Sequence, residues 1–222
     1  MRTLLFVLTV FVLILSSCKK QDVNPSPNLG IDTGCIERVF IPENQHSITS
    51  TENTIVDNLF MTNGLVNQHY RFTRFMHDSF QTYYPPYAIK DNKNIRADFY
   101  VNGLRLLNVG LVFNFINNTL NFVGGDITSI ILLDTIPQLN LGQIRKLFID
   151  DAQRFEQLGS HFKDTCLRAE FGYFRQYINS NNDVKISKGW LIRPHYNYYP
   201  NAVHLDSAGI LIGYDNGIRY FK

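Results

Sequence analysis

The chain has 222 residues, with 21 Lys and Arg against 19 Asp and Glu, a formal net charge of +2. That balance argues against a nucleic-acid partner held through its phosphates, and the charges of "KLFIDDAQR" and "KISKGWLIR" read as solvated faces rather than a basic stripe. Seventeen Phe, twelve Tyr and one Trp supply enough apolar material for a core, and the length suits one large domain or two small ones.

At the front, Arg2 precedes an apolar run from Leu4 to Leu15 that only Thr9 interrupts. The run is too short for a resident spanning helix, which needs ~20 residues, and has the length of an export-signal core. The following "LSSC" resembles a bacterial lipobox, with Leu15 three residues before Cys18 and small residues between them. Residues 1–17 are therefore expected to be a lipoprotein signal peptide, and the mature chain to begin at Cys18 with a diacylglyceryl group on its sulfur. The alternative is an ordinary secretory signal with an incidental Cys. Each buried methylene contributes ~0.8 kcal/mol and two or more acyl chains anchor stably, so the expected location is the bacterial cell envelope, at the periplasmic face or the cell surface. Residues 18–34, polar and Pro-containing in "KKQDVNPSPNLG", read as a flexible tether.

Cys35 and Cys166 remain. An exported compartment permits a disulfide, and closing a loop of 131 residues would stabilise by up to ~5 kcal/mol in the chain-entropy model. Two separate thiols, with Cys166 opening a strand, are the alternative. Two cysteines make no thiolate zinc site of the usual spacing.

Along the chain, "CIERVFIP" suits a first edge strand ending at Pro42. Thr49 and Glu52 form a capping box, Ile55, Val56, Leu59 and Phe60 make one helical stripe, and Asn63-Gly64 supply a stop. A strand over 69–80 follows, then "QTYYPPYAIKDNKN" (81–94) as a long exposed loop. A further strand segment runs over 95–115, with Val109, Leu111, Phe113 and Phe115 on one side. Asn117-Asn118 turn the chain into "TLNFVGGDI". Asn140 and Gln143 make a second capping box, and Ile144, Leu147, Phe148, Ala152, Phe155 and Leu158 recur at helical spacing up to Gly159. Then Leu167, Ala169, Phe171 and Tyr173 alternate, "NSNND" turns, and "VKISKGWLIRPHY", "AVHLD", "ILIGY" and "IRYF" complete a meander. The pattern is β-α-βββ followed by α-ββββ, an α+β architecture of antiparallel sheets each covered by a helix.

This order of parts resembles the propeptides of fungalysin-like and thermolysin-like metallopeptidases, a propeptide motif followed by a PepSY-type, cystatin-like unit. The segments that carry the resemblance are "NFINNTLNFVGGDI" (114–127), "IPQLNLGQIRKLF" (136–148) and "AVHLDSAGILIGYDNG" with Asp206 and Gly209. It implies two successive subdomains, 35–134 and 135–222. The long Tyr/Pro segment and the aromatic "KISKGWLIRPHYNYYP" depart from the pattern. H-E-x-x-H is missing, so the zinc-and-base pair of such enzymes is not in this chain, which looks like a propeptide without its enzyme.

Candidate chemistry is sparse. His204 and Asp206 share a strand face with His195 close in sequence, which a polar face in solvent explains as readily as a metal site. His69 and His77 are too far apart to chelate together. No G-x-S-x-G is present, and Ser160-His161 are adjacent rather than aimed at each other. Asp150-Asp151 read as an exposed helix face, "VGGDI" is too short for a phosphate loop, and Asn117-Asn118-Thr119 is a turn before it is a glycosylation sequon. No enzyme activity, cofactor or metal is expected. Two aromatic groups are the candidate binding surface: Tyr83, Tyr84 and Tyr87, and Trp190, Tyr196, Tyr198 and Tyr199. The partner expected from the resemblance is a secreted metallopeptidase or another envelope protein, inhibited or chaperoned; a cell-surface glycan is the alternative.

Overall fold

Among the described residues, each of the two helices is set by a reciprocal cap. In the computed structural model, which describes residues 30–65, 69–125, 132–155, 166–177 and 184–217, the Thr49 hydroxyl accepts the Glu52 N–H at 3.2 Å. The Glu52 carboxylate accepts the Thr49 N–H at 2.8 Å. Helix α1 runs from there over Ser50–Thr62, buries Val56, Leu59 and Phe60, and ends at Asn63. Before helix α2 (Leu141–Phe155), the Asn140 and Gln143 side chains each accept the other's backbone N–H at 3.0 Å. Ile144, Phe148 and Ala152 face inward; Phe155 is exposed and stacks on Tyr214. Leu158 and Gly159 lie outside the described residues.

The strands are β1 (Ile36–Val39), β2 (Tyr70–Gln81), β3 (Ile89–Val101), β4 (Leu104–Ile116), β5 (Thr119–Gly124), β6 (Leu167–Tyr177), β7 (Val184–Pro194), β8 (Asn201–Leu205) and β9 (Leu211–Asp215). The fold is α+β, and the sheet is largely antiparallel. Its order is β2-β3-β4-β6-β7-β8-β9, with β5 also on β4 and β1 also on β6. The strands thus join one sheet where two were expected, and the buried side chains under α1 and α2 belong to one hydrophobic cluster. Leu167, Ala169, Phe171 and Tyr173 line it from β6 in the expected alternation, each under 5% exposed. Phe60 of α1 inserts among Tyr70, Phe72, Phe113 and Phe115 at ring distances of 4.8 to 6.2 Å.

Three strand expectations need correction. The stretch 95–115 is broken by a hairpin at Asn102-Gly103, both at positive φ (52° and 76°), the turn that an Asn-Gly pair favours. The long loop shrinks to 82–88, because Ile89–Asn94 pair with β2 as part of β3. The first strand stops at Val39 and runs parallel to β6, not as an edge of its own half. The turn at Asn117-Asn118 stands, with both residues at positive φ. The "NSNND" turn and "IRYF" lie outside the described residues.

The two halves of the sheet meet at a narrow seam. β4 and β6 run parallel with Leu106 opposite Tyr173. A Cβ at Gly172 would sit 2.5 Å from the Arg105 carbonyl oxygen, so only glycine permits this approach. Beyond it the strands splay, and the Asn108 side chain bridges them. Its amide donates to the Arg175 carbonyl at 2.7 Å and its oxygen accepts the Arg175 N–H at 3.0 Å. On the face away from the helices, Arg105 grips Glu170 through two bonds of 2.8 and 2.6 Å. Asp98 links Arg105 (3.4 Å) to Arg71 (2.8 Å), which extends the ladder to β2.

Candidate functional site

The expected surface residues fall into three places. Tyr83, Tyr84 and Tyr87 are exposed in the β2–β3 loop, with the Tyr83 and Tyr84 rings edge to face at 5.0 Å. Tyr196, Tyr198 and Tyr199 are exposed in the β7–β8 loop. Trp190 is not on a surface at all: it is 1% exposed, packs on Phe171 at 5.0 Å and donates its indole N–H to Asp206. Along β7 it alternates with Leu191 and Arg193, so it shares the core side with Ile192.

The two tyrosine loops lie at opposite ends of the strands. The β2–β3 loop sits beside the C-terminal end of β4, where Asn92 pairs with Ile116. The β7–β8 loop sits beside the N-terminal end of β6, where the His195 N–H donates to the Cys166 carbonyl at 2.8 Å. Since β4 and β6 run parallel, one ligand of modest size cannot engage both. Cys35 and Cys166 are joined by a disulfide at the second of these ends, with Cα atoms 4.5 Å apart. Residue 18 lies outside the described residues. The segment from Gly30 to Gly34, expected within the tether, is held to α2: Arg145 Nε donates to Asp32 at 2.9 Å, and the Asp32 N–H donates to the Gly142 carbonyl at 3.1 Å. The Gly34 N–H and the Arg145 guanidinium keep the Asp32 carboxyl below the usual carboxylate range.

On the sheet face away from the helices, the β7–β8 loop borders an open groove of about 370 Å³ lined by Leu191, Arg193, Tyr198, Tyr199 and Asn201. The Arg193 guanidinium lies 5.0 Å from the centre of the Tyr198 ring, and the Asn201 amide donates to the Tyr198 carbonyl at 3.3 Å. Tyr199 packs on the backbone of Gly217, where an added Cβ would come within 2.7 Å of the ring. Arg193, Leu191 and Asn201 were not singled out in the sequence; the period-two phase of β7 was the signal that could have found the first two.

His204 and Asp206 are 1% and 0% exposed, contrary to a polar face in solvent. Asp206 accepts the N–H groups of Gln138 (2.8 Å), Leu139 (3.1 Å) and Trp190 Nε1 (2.9 Å), which fastens the connector before α2 to the β8–β9 turn. His204 Nε2 lies 3.1 Å from Asp151, outside hydrogen-bonding alignment, and its Nδ1 donates to the Gly209 carbonyl at 3.0 Å. Asp151 therefore faces inward, whereas Asp150 pairs with Lys146 at the surface. Burial pushes the His204 imidazole down and the Asp151 carboxyl up. His195 contacts Glu37 at the disulfide end, so the three residues considered for a metal do not converge. Ser160 and His161 lie outside the described residues.

His46 gives the cleaner pH handle. Its Nδ1 accepts the Phe72 N–H at 3.1 Å, a bond that the protonated ring cannot make, and burial lowers its proton affinity. The unfolded chain takes a proton near pH ~6.5 where the folded chain resists it, so this contribution to stability is intact above that pH and is lost as pH falls. The urea midpoint of the protein is expected to drop more between pH 7.5 and 5.5 than that of His46→Asn, whose side-chain oxygen accepts the same N–H. Equal drops would refute this.

No protein-family model and no curated protein sequence matches the chain. Among the described residues, no helix is long and apolar enough to cross a membrane.

Proposed function

We propose that the chain is a non-catalytic lipoprotein, anchored through lipid on Cys18, whose folded body binds another envelope protein. The partner in this reading is a secreted metallopeptidase that the domain chaperones or inhibits in trans. The observation that carries it is the β7–β8 loop, where Tyr196, Tyr198 and Tyr199 stand exposed and the last two line a groove. Tyrosine pairs a large apolar ring with a hydrogen-bonding tip and is enriched at protein interfaces. Meanwhile Asp206, Glu170 and Arg145 are engaged in holding the fold. The order of parts supports the propeptide-like side of the reading: the β4–β5 hairpin, a connector, a capped helix, then antiparallel strands whose acidic turn ties back to the connector through Asp206. Residues 35–134 and 135–222 are then the propeptide-motif-like and PepSY-like units.

The test adds the full chain, purified in mild detergent, to secreted metallopeptidases of the same organism refolding without their propeptides. A higher yield of active enzyme, or inhibition of the folded enzyme, together with co-elution, is expected for at least one. If no peptidase of the set changes in yield or activity, the reading is wrong.

The exposed, mutually packed Tyr83 and Tyr84 rings favour a second reading, a cell-surface glycan-binding module, since such rings serve as platforms for sugars. A glycan captured on an array should be lost with Tyr84→Ala. Capture that ignores this substitution, or no capture, removes the idea.

A further inference from the structure

We infer that the Arg193 groove is a carboxylate-binding subsite that takes an acidic peptide segment of the partner. This rests on the protein-binding reading and names the chemistry the partner would present.

The charges around the groove are not balanced. Arg193 on β7 lies directly across from Arg168 on β6, so two guanidinium groups share one sheet face. The acid of the same row on β1 is Glu37, opposite Arg168. It is already contacted by the Arg168 guanidinium at 3.0 Å and by the His195 ring at 2.9 Å. Further along, Asp215 stands opposite Asn201 on β9 and accepts the Gly217 N–H at 2.8 Å. Glu170, opposite Leu191, is held by Arg105. Among the described residues no carboxylate pairs with Arg193, whose partner is the Tyr198 ring.

A guanidinium stacked on a ring keeps its N–H edge for a planar carboxylate, which it binds through two parallel hydrogen bonds. The stack also restrains the long side chain beforehand, which lowers the entropy lost on binding. Around that donor the groove offers the apolar Leu191, the Asn201 amide and the tyrosine hydroxyls. Its volume of about 370 Å³ is at the small end for a ligand site and suits one acidic side chain with a neighbouring apolar one. The face of Tyr198 turned toward Arg193 is covered by the guanidinium, which favours a peptide carboxylate over a stacked sugar ring.

The probe is the peptide Ac-Leu-Glu-Leu-amide, titrated calorimetrically into the full chain in detergent, against Ac-Leu-Gln-Leu-amide and oligogalacturonate. The Glu peptide should bind at least ten-fold more tightly than the Gln peptide, and Arg193→Gln should erase the difference. Arg193→Lys should keep part of it, and Arg154→Gln, an exposed arginine on α2, should keep all of it. Unchanged urea midpoints establish that the variants are folded. Equal binding of the two peptides, binding indifferent to Arg193→Gln, or binding of oligogalacturonate alone would each overturn the inference. If a peptidase responds to the domain while Arg193→Gln changes nothing, the subsite is wrong and the functional reading stands. If no peptidase responds but the Glu peptide binds through Arg193, the reverse holds.

Discussion

Asp206→Ala is expected to lower the free energy of unfolding by about 3 kcal/mol or more, because three donors that now point at one fully buried carboxylate would lose their acceptor. Each buried donor left unsatisfied costs ~1–3 kcal/mol. Two of them are backbone groups of Gln138 and Leu139, which the mutation cannot re-aim. The third belongs to Trp190, whose buried ring is held against Phe171 with the Arg38 guanidinium over it. Lys188, with its ammonium 3.7 Å from the carboxylate, would keep its bond to Asp134 at 2.8 Å and so offers no compensation to the other three. For a chain of this size the loss corresponds to roughly 6–12 °C in Tm. Asp206→Asn, which retains one acceptor oxygen, should cost visibly less. A denaturation series in which Asp206→Ala stays within about 1 kcal/mol of the parent would show that the carboxylate is not the fastener described above.

The second large effect belongs to the disulfide. Its loop of 131 residues encloses α1, α2 and five of the nine strands among the described residues. In the chain-entropy model such a crosslink is worth up to ~5 kcal/mol, all through restriction of the unfolded chain. Cys35→Ser with Cys166→Ser should therefore unfold at much lower urea than the oxidised parent, and a reductant should move the parent to the same midpoint. The unreduced, denatured chain should show no reactive thiol from either cysteine. A midpoint insensitive to both the substitutions and the reductant would contradict this account.

The parts of the fold that were legible in the sequence are those encoded within a few residues. The Thr49–Glu52 and Asn140–Gln143 boxes announce both helices because each cap is a contact three residues long. The alternation of Leu167, Ala169, Phe171 and Tyr173 marks the buried side of β6 for the same reason. Asn102-Gly103 is equally local, but the apolar residues on both sides of it read as one run. Trp190 is obscured by its company: it stands shortly before the loop residues His195, Tyr196, Asn197, Tyr198 and Tyr199, but its strand phase puts it with Ile192. What spacing cannot show is contact across the chain. Arg145 meets Asp32 from 113 residues away, and Asp206 meets Gln138 from 68. Asp151, read as part of an exposed face, is largely covered, with His204 of β8 3.1 Å away. The groove is a separate case: its lining spans only Leu191 to Asn201, but Arg193 meets Tyr198 through an irregular loop, for which no residue spacing is diagnostic.

The attachment of the Gly30–Cys35 segment bears on how the molecule responds to a mechanical pull from its N-terminal side. Tension entering at Gly30 meets first the Asp32–Arg145 and Asp32–Gly142 bonds, which pass it to the first turns of α2. If these yield, it reaches Cys35 and crosses the covalent bridge into the start of β6, a strand zipped along its length to β7. The short parallel pairing of β1 with β6 lies beyond the bridge and is shielded from the force. Stretching a single oxidised molecule from this side would therefore meet a rigid interior at once, while a reduced one would first peel away β1.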